Sequence, residues 1–414
     1  MKSILMHWII VAALLTTMAA QAESLLITDG IVHVGDESAA TVQDIFIKDG
    51  VIESVSADLS ALTADRIIDA GGRPVTPALF AGITGVGLSE IGMVYEAVDS
   101  RLNGLYTGLM HPEFDVRAAY NPHSSVVPVT RVEGYGYTLL VAAPGDRTLS
   151  GQGGLVRFDG DFDSFEGDTA TFVNVDGYSG NKLGGSRAAH WMLLNSAFAE
   201  LSVADDDLTL ISASGKAALK SARRNGIFVF RANRASDILQ TLAFVREHQL
   251  RAMISGAQEA WLVKEALAGA GVPVMINALD NLPGSFDALG ARLDNAALLN
   301  EAGVTVLFTS GETHNARKLR QVAGSAVANG LPHGVAMAAM TSLPAEIFGG
   351  QPRMIAPGLR ADLVIWSGDP LEVNTAADQV IIDGRLDTMK SRQTQLLERY
   401  LPSETELGRA YINP

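Results

Sequence analysis

The run IFVFRANRASDILQTLAFVREHQLRAMISGA, residues 227–257, decides how the chain is read. It opens on a continuously apolar strand, breaks at polar residues, continues as an amphipathic helix and returns to a second apolar strand. Strands that are apolar at successive positions have both faces buried, as in a parallel sheet covered by helices. The unit recurs downstream. EAWLVKEALAGAG (259–271) leads into VPVMINA (272–278), and DNAALLNEAG (294–303) leads into VTVLFTS (304–310). Gly226, Gly271 and Gly303 stand where each helix must stop before the next strand. Repeated β-α units of about 20 to 30 residues favour a (β/α)8 barrel or a doubly wound sheet.

Both ends of the chain read differently. SLLITDGIVHVG (24–35) and DIFIKDGVIESV (44–55) are β-prone, with Asp29-Gly30 and Asp49-Gly50 as expected turn dipeptides. ADLVIWSG (361–368) and QVIIDGR (379–385) return to strands, and SRQTQLLERYL (391–401) predicts a surface helix. Sheet, helix-strand repeat and sheet again imply that the two ends fold together into one small domain.

Composition narrows the function. With 414 residues, 47% hydrophobic and 19% charged, the chain can bury a large core. A formal charge of -15 repels phosphate backbones, so no nucleic-acid partner is expected, and no polybasic membrane patch is present. Lys2, the apolar run Trp8 to Leu15 and Ala20-Gln21-Ala22 form a signal peptide with cleavage near Ala22. The apolar run is too short to span a bilayer, so no membrane span is expected after cleavage. Cysteine is absent, which removes disulfides and thiolate metal ligands. These features predict a soluble periplasmic protein.

The flanks resemble those of the amidohydrolase superfamily, in its imidazolonepropionase-like branch. The resemblance lies in DGIVHVG, DIFIKDGVIESV and IIDAGGRPVTPAL (67–79) at one end, and in APGLRADLVIWSGDPLE (356–372) and VIIDGR at the other. It covers nearly all of the mature chain. It implies an α/β fold: a TIM (β/α)8 barrel with a small composite β-sandwich domain built from both chain ends. The expected organisation is a signal peptide at 1–22, a sandwich from 23–74 with 355–387, a barrel at 75–354 and a helical tail at 388–414. Members of this family hydrolyse non-peptide C–N bonds with zinc or another divalent metal.

The motif that would carry that chemistry is degenerate. VTPALFAGITGVGL (75–88) aligns with the family's PGxxDxHxH pattern, but Ala78 replaces its glycine, Ala81 its aspartate, and Ile83 and Gly85 its histidines. By the same resemblance, Arg231 stands at the fifth-strand histidine, Ser255 at the sixth-strand histidine and Gly311 at the eighth-strand aspartate. Zinc needs imidazole or carboxylate donors at about 2.0–2.2 Å. Isoleucine and glycine supply none, and an arginine cation repels a metal. Glycine cannot act as the base for metal-bound water. The expectation is no metal cofactor and no inherited catalytic residue.

Other polar residues are weighed as pocket candidates. Glu312, His314 and Asn315 follow the eighth strand, at the barrel end where active sites form. Arg231 is expected to point into the mouth, paired with Glu312 or with a ligand carboxylate. Gln258, Glu259 and Trp261 open the helix after strand six, and Glu90 follows strand one. His314 and Asn315 serve equally as helix-capping residues. His190 and His248 fall in helical patterns, and His111 and His123 in loop sequence. The candidate pocket is therefore Glu90, Arg231, Gln258, Glu312 and His314. No GxSxG elbow, GxGxxG loop or Walker lysine occurs.

Three functions fit. The first is a hydrolytically impaired amidohydrolase that binds a small molecule or partners an active relative, as a homo- or hetero-oligomer. The second is an active C–N hydrolase with a rebuilt site. The third is a structural envelope protein, which requires a mouth filled by side chains such as Ile83 and Phe308.

Overall fold

The computed structural model describes residues 24–102, 110–143, 148–177 and 186–401. The signal-peptide segment and the chain beyond 401 lie outside the described residues. Among the described residues, no helix is long and apolar enough to cross a membrane.

Two sheets organise the chain. The first gathers β1 (Ser24–Val32), β2 (Thr41–Lys48), β3 (Val51–Ser56), β4 (Arg66–Asp69) and β5 (Pro74–Pro77) with β14 (Leu363–Trp366), β15 (Ala377–Ile382) and β16 (Arg385–Leu386). The chain ends meet where β14 lies antiparallel to β5, pairing Leu363 with Pro77 and Ile365 with Val75. This sheet has its own apolar core, including Ile27, Ile45, Val75, Leu363 and Ile381.

The two Asp-Gly dipeptides behave differently. Asp49-Gly50 turns β2 into β3, with both residues at positive φ, 53° and 81°. Asp29-Gly30 is no hairpin turn; it is an irregularity inside β1, where the register to β2 shifts between Ile27 and Gly30. The first half of β1 pairs with β4 and the second half with β5, so the bulge marks the change of partner.

The second sheet has eight strands in chain order: β6 (Leu79–Thr84), β7 (Tyr135–Leu140), β8 (Leu149–Arg157), β9 (Phe165–Asn174), β10 (Ile227–Ala232), β11 (Ala252–Gly256), β12 (Val274–Ile276) and β13 (Val306–Phe308). It is the expected barrel, nearly closed. The edges approach where Ile83 N–H donates to Thr309 Oγ1 at 3.1 Å and Gly85 N–H donates to Thr313 Oγ1 at 3.0 Å. Its strands are buried almost throughout, with Phe80, Tyr135, Tyr137, Phe228, Phe230 and Phe308 among the largest enclosed side chains.

One strand departs from the (β/α)8 pattern. β8 runs antiparallel to both β7 and β9. The segment 158–164 between β8 and β9 is too short for a crossover helix, which a parallel connection requires. The other seven strands are parallel to one another, so their carboxyl ends share one face of the barrel.

Ion pairs and a closely packed tryptophan join the two parts. Arg353 donates to Asp362 at 3.0 Å and also pairs with Glu166, while Arg157 reaches Asp383 at 2.5 Å. Trp366 of β14 donates to Thr76 Oγ1 at 2.9 Å, and its ring lies over Gly134 at the entry to β7.

Candidate functional site

The carboxyl ends of the parallel strands surround a cavity of about 440 Å³. Ile83 and Gly85, Arg231, Ser255 and Gly311 all line it. The five positions that the resemblance assigns to metal ligands and the catalytic acid thus converge on one mouth. Register explains the convergence: Arg231 pairs with Ser255 across β10 and β11, and Ser255 pairs with Met275 across β11 and β12.

Arg231 has a partner in the protein. Its Nε lies 3.1 Å from Asp176 Oδ2, with the arginine side chain 50% exposed and the aspartate 4%. The partner is Asp176 rather than the Glu312 expected from sequence. Asp176 follows β9, whose Asn174 is the register partner of Arg231, so the two charges are cross-strand neighbours.

A second charged centre lines the same mouth. Asp280 accepts from Gln258 Nε2 at 2.6 Å and from Asn277 Nδ2 at 3.0 Å. Burial raises its carboxyl above the ordinary aspartate range, and the Gln258 hydrogen bond opposes part of that shift. Asn174, Asn233, Thr309 and Thr313 add amide and hydroxyl groups, while Val141, Phe172 and Val229 supply an apolar wall. Sequence reasoning singled out neither Asp176 nor Asp280. The signal available was position alone: NVD after the fourth strand and INALD after the seventh, both at carboxyl ends.

The other expected pocket residues stand outside the lining. Glu90 accepts from Ser125 N–H at 3.1 Å and Ser125 Oγ at 2.8 Å, at the start of the helix Val126–Arg131. Burial opposes its ionisation, but hydrogen bonds from Ser124 and Ser125 outweigh this and hold its carboxyl below the usual range. His314 Nε2 contacts Glu90 O at 2.9 Å, and Glu312 is exposed. Glu259 accepts from Ala235 N–H and Gly290 N–H, anchoring the helix Ala235–His248 and the loop before the helix Asn295–Glu301.

None of the seven described histidines lines the mouth. His190 is buried with Nδ1 at 2.7 Å from Thr148 Oγ1. His248 packs against Phe198 and Phe244, and His123 against Phe162. His111 lies beside Glu113, and His33 and His333 face each other near Asp369. Among the described residues, no group of three or more His, Asp or Glu side chains is arranged to hold a metal ion.

An amidohydrolase from Thermotoga maritima MSB8 superposes on this architecture with a TM-score of 0.77 and 20% identity, covering 87% of this chain and 99% of that one. The chain has the amidohydrolase-superfamily fold. Molinate hydrolase superposes less closely, with a TM-score of 0.53 and 13% identity over 95% of this chain and 99% of its own. In sequence, the amidohydrolase tasK of Hapsidospora irregularis is 33% identical over 134 residues, which is 31% of this chain and 14% of that protein. The chain therefore spans a small part of the length of that relative. No family model matches the sequence.

Proposed function

We propose that this amidohydrolase-fold protein is hydrolytically impaired and that its barrel mouth receives a small molecule without a divalent metal. One observation carries the reading. At the strand end where the family resemblance expects a ligating histidine, Arg231 stands as a cation paired with Asp176. A metal ion would have to displace that guanidinium or share its space against charge repulsion. The remaining donors fit zinc poorly. Ile83 and Gly85 offer no side-chain donor, Ser255 offers only a neutral hydroxyl, and Asp280 is the one carboxylate among the lining residues.

The cavity favours a ligand over a purely structural role. At about 440 Å³ it falls within the roughly 300–1,000 Å³ of ligand pockets, and it mixes an apolar wall with convergent polar groups. Phe308 is buried in the barrel core and does not line the mouth. We further propose export to the periplasm by the segment ending near Ala22, and association with a second copy or an intact relative.

A second reading has one observation in its favour. Asp280 is a carboxyl with a raised pKa inside the cavity, a property of catalytic acids and bases. Turnover assays on N-acyl amino acids, dipeptides and cyclic amides, with and without added zinc or manganese, separate the two. The proposal predicts no turnover above background. Metal-stimulated hydrolysis that disappears in Asp280→Asn would establish the rebuilt hydrolase instead.

A further inference from the structure

The mouth presents charges of opposite sign from two nearby strand ends, Arg231 on β10 and Asp280 after β12. Asp176 takes the Nε edge of Arg231, while the arginine side chain is half exposed and lines the cavity. An arginine fork of this kind binds carboxylates in a two-pronged geometry. Asp280 engages one amide donor per oxygen, Gln258 at Oδ2 and Asn277 at Oδ1. Each carboxylate oxygen has a second acceptor site, so the group can take a further donor.

The separation of the two centres limits ligand size. Arg231 and Met275 are two ladder steps apart through Ser255, about 10 Å at roughly 4.8 Å per step. Asp280 follows Met275 by five residues on the loop beyond β12. Both groups line the same cavity of about 440 Å³, a volume suited to a short ligand. Beside them, Ile83, Val141, Phe172 and Val229 form a surface for an aliphatic group.

We infer that the mouth selects a small zwitterion of the free amino-acid class, with its carboxylate on Arg231, its ammonium on Asp280 and an apolar side chain against Phe172 and Val229. This inference rests on the reading of the mouth as a small-molecule site. It also assigns a use to Asp280, a partly buried carboxylate in the cavity lining that would gain a compensating cation from the ligand. The ligand keeps its amino group free and no bond is made or broken.

The test compares three probes on the full-length protein by isothermal titration: L-leucine, L-leucinamide and N-acetyl-L-leucine. The amide lacks the carboxylate and the acetyl compound lacks the ammonium. L-leucine is expected to bind at least tenfold more tightly than either. Arg231→Gln should abolish the preference of leucine over leucinamide, and Asp280→Asn the preference over N-acetyl-leucine. A merely structural role for either residue would change affinity for all three probes alike. The wild-type series stands even if a variant does not fold. The inference is overturned if either analogue binds as tightly as leucine, or if leucine does not bind. In those cases a wider panel of neutral and anionic metabolites decides the broader reading: binding by any member preserves the small-molecule site, and binding by none removes both.

Discussion

Replacing Arg231 by glutamine tests whether the Arg231–Asp176 pair has taken over the place of a metal. Asp176 is 4% exposed and Arg231 50% exposed, with Nε 3.1 Å from the carboxylate. Breaking a fully buried pair by removing one partner costs about 3–5 kcal/mol, and an exposed pair contributes about 0–1 kcal/mol. This pair lies between those limits, because water reaches the arginine and Asp176 has further contacts. The expected loss is about 1–3 kcal/mol for Arg231→Gln. The cost arises from a carboxylate left without its cation, so Asp176→Asn added to Arg231→Gln should return at least half of it. Urea unfolding of wild type, both single variants and the double variant forms the cycle that isolates this coupling. The reasoning is refuted if Arg231→Gln costs under about 0.5 kcal/mol, or if the double variant is as unstable as the sum of the two singles.

Restoring the lost imidazoles is the complementary perturbation. Ile83→His with Gly85→His should yield weak zinc binding, micromolar to sub-millimolar, since two ligands supply about half of the roughly 10–16 kcal/mol of a full structural site. A Cβ at Gly85 meets Thr313 Oγ1 at 3.2 Å, a contact that a small side-chain shift relieves. No zinc uptake at millimolar concentration, even with Arg231→Gln added to remove the repelling cation, would show that these positions do not face the mouth. At the junction of the two sheets, Gly134→Ala should cost about 2–4 kcal/mol. Gly134 has φ +92° and its Cβ would lie 2.3 Å from the Trp366 ring, so backbone strain and overpacking act together. A urea midpoint within error of wild type would refute that packing. His333 carries a pH prediction. The Asp369 hydrogen bond raises its pKa despite opposing burial, so its stabilisation is fully present below about 6.5 and is lost as pH rises through the folded-state value. The stability gap between wild type and His333→Gln should therefore be widest near pH 5.5 and shrink toward pH 8; a constant gap would contradict it.

Much of the fold was legible because local chemistry and tertiary demand agree. Continuous apolar runs at 227–230 and 252–254 became buried parallel strands, and Gly271 and Gly303 end their helices at positive φ, while Gly226 ends its helix in extended backbone. Agreement failed where long-range pairing decides. Asp29 and Asp49 have nearly the same φ, 54° and 53°, yet only the second lies in a hairpin turn. The difference is that β1 pairs with both β4 and β5, a fact no local window contains. The reversed β8 was readable in principle from the absence of a helical pattern between residues 157 and 165, though the resemblance to an all-parallel barrel obscured it.

The mouth divides in the same way. Residues at strand ends, such as Arg231, Ser255 and Gln258, reach the cavity because the parallel register fixes their height. Residues a few positions further on depend on loop paths. Glu90 is held by Ser125 and His314 by the backbone carbonyl of Glu90, whereas Asp280 is held at the cavity by Gln258 and Asn277. Charge type alone could not separate these cases. Histidine count misled less than histidine placement: seven are described, and each finds a packing or hydrogen-bonding role away from the strand ends.

Metal content of the full-length protein, purified from zinc-supplemented culture without chelator and measured by inductively coupled plasma mass spectrometry, bears most directly on the degenerate-site proposal. A chain whose barrel mouth holds an arginine–aspartate pair where an imidazole is expected should carry well under a tenth of an equivalent of zinc, manganese, iron, cobalt and nickel combined. Close to one tightly held equivalent, lost on mutation of Asp280 or Asp176, would contradict it.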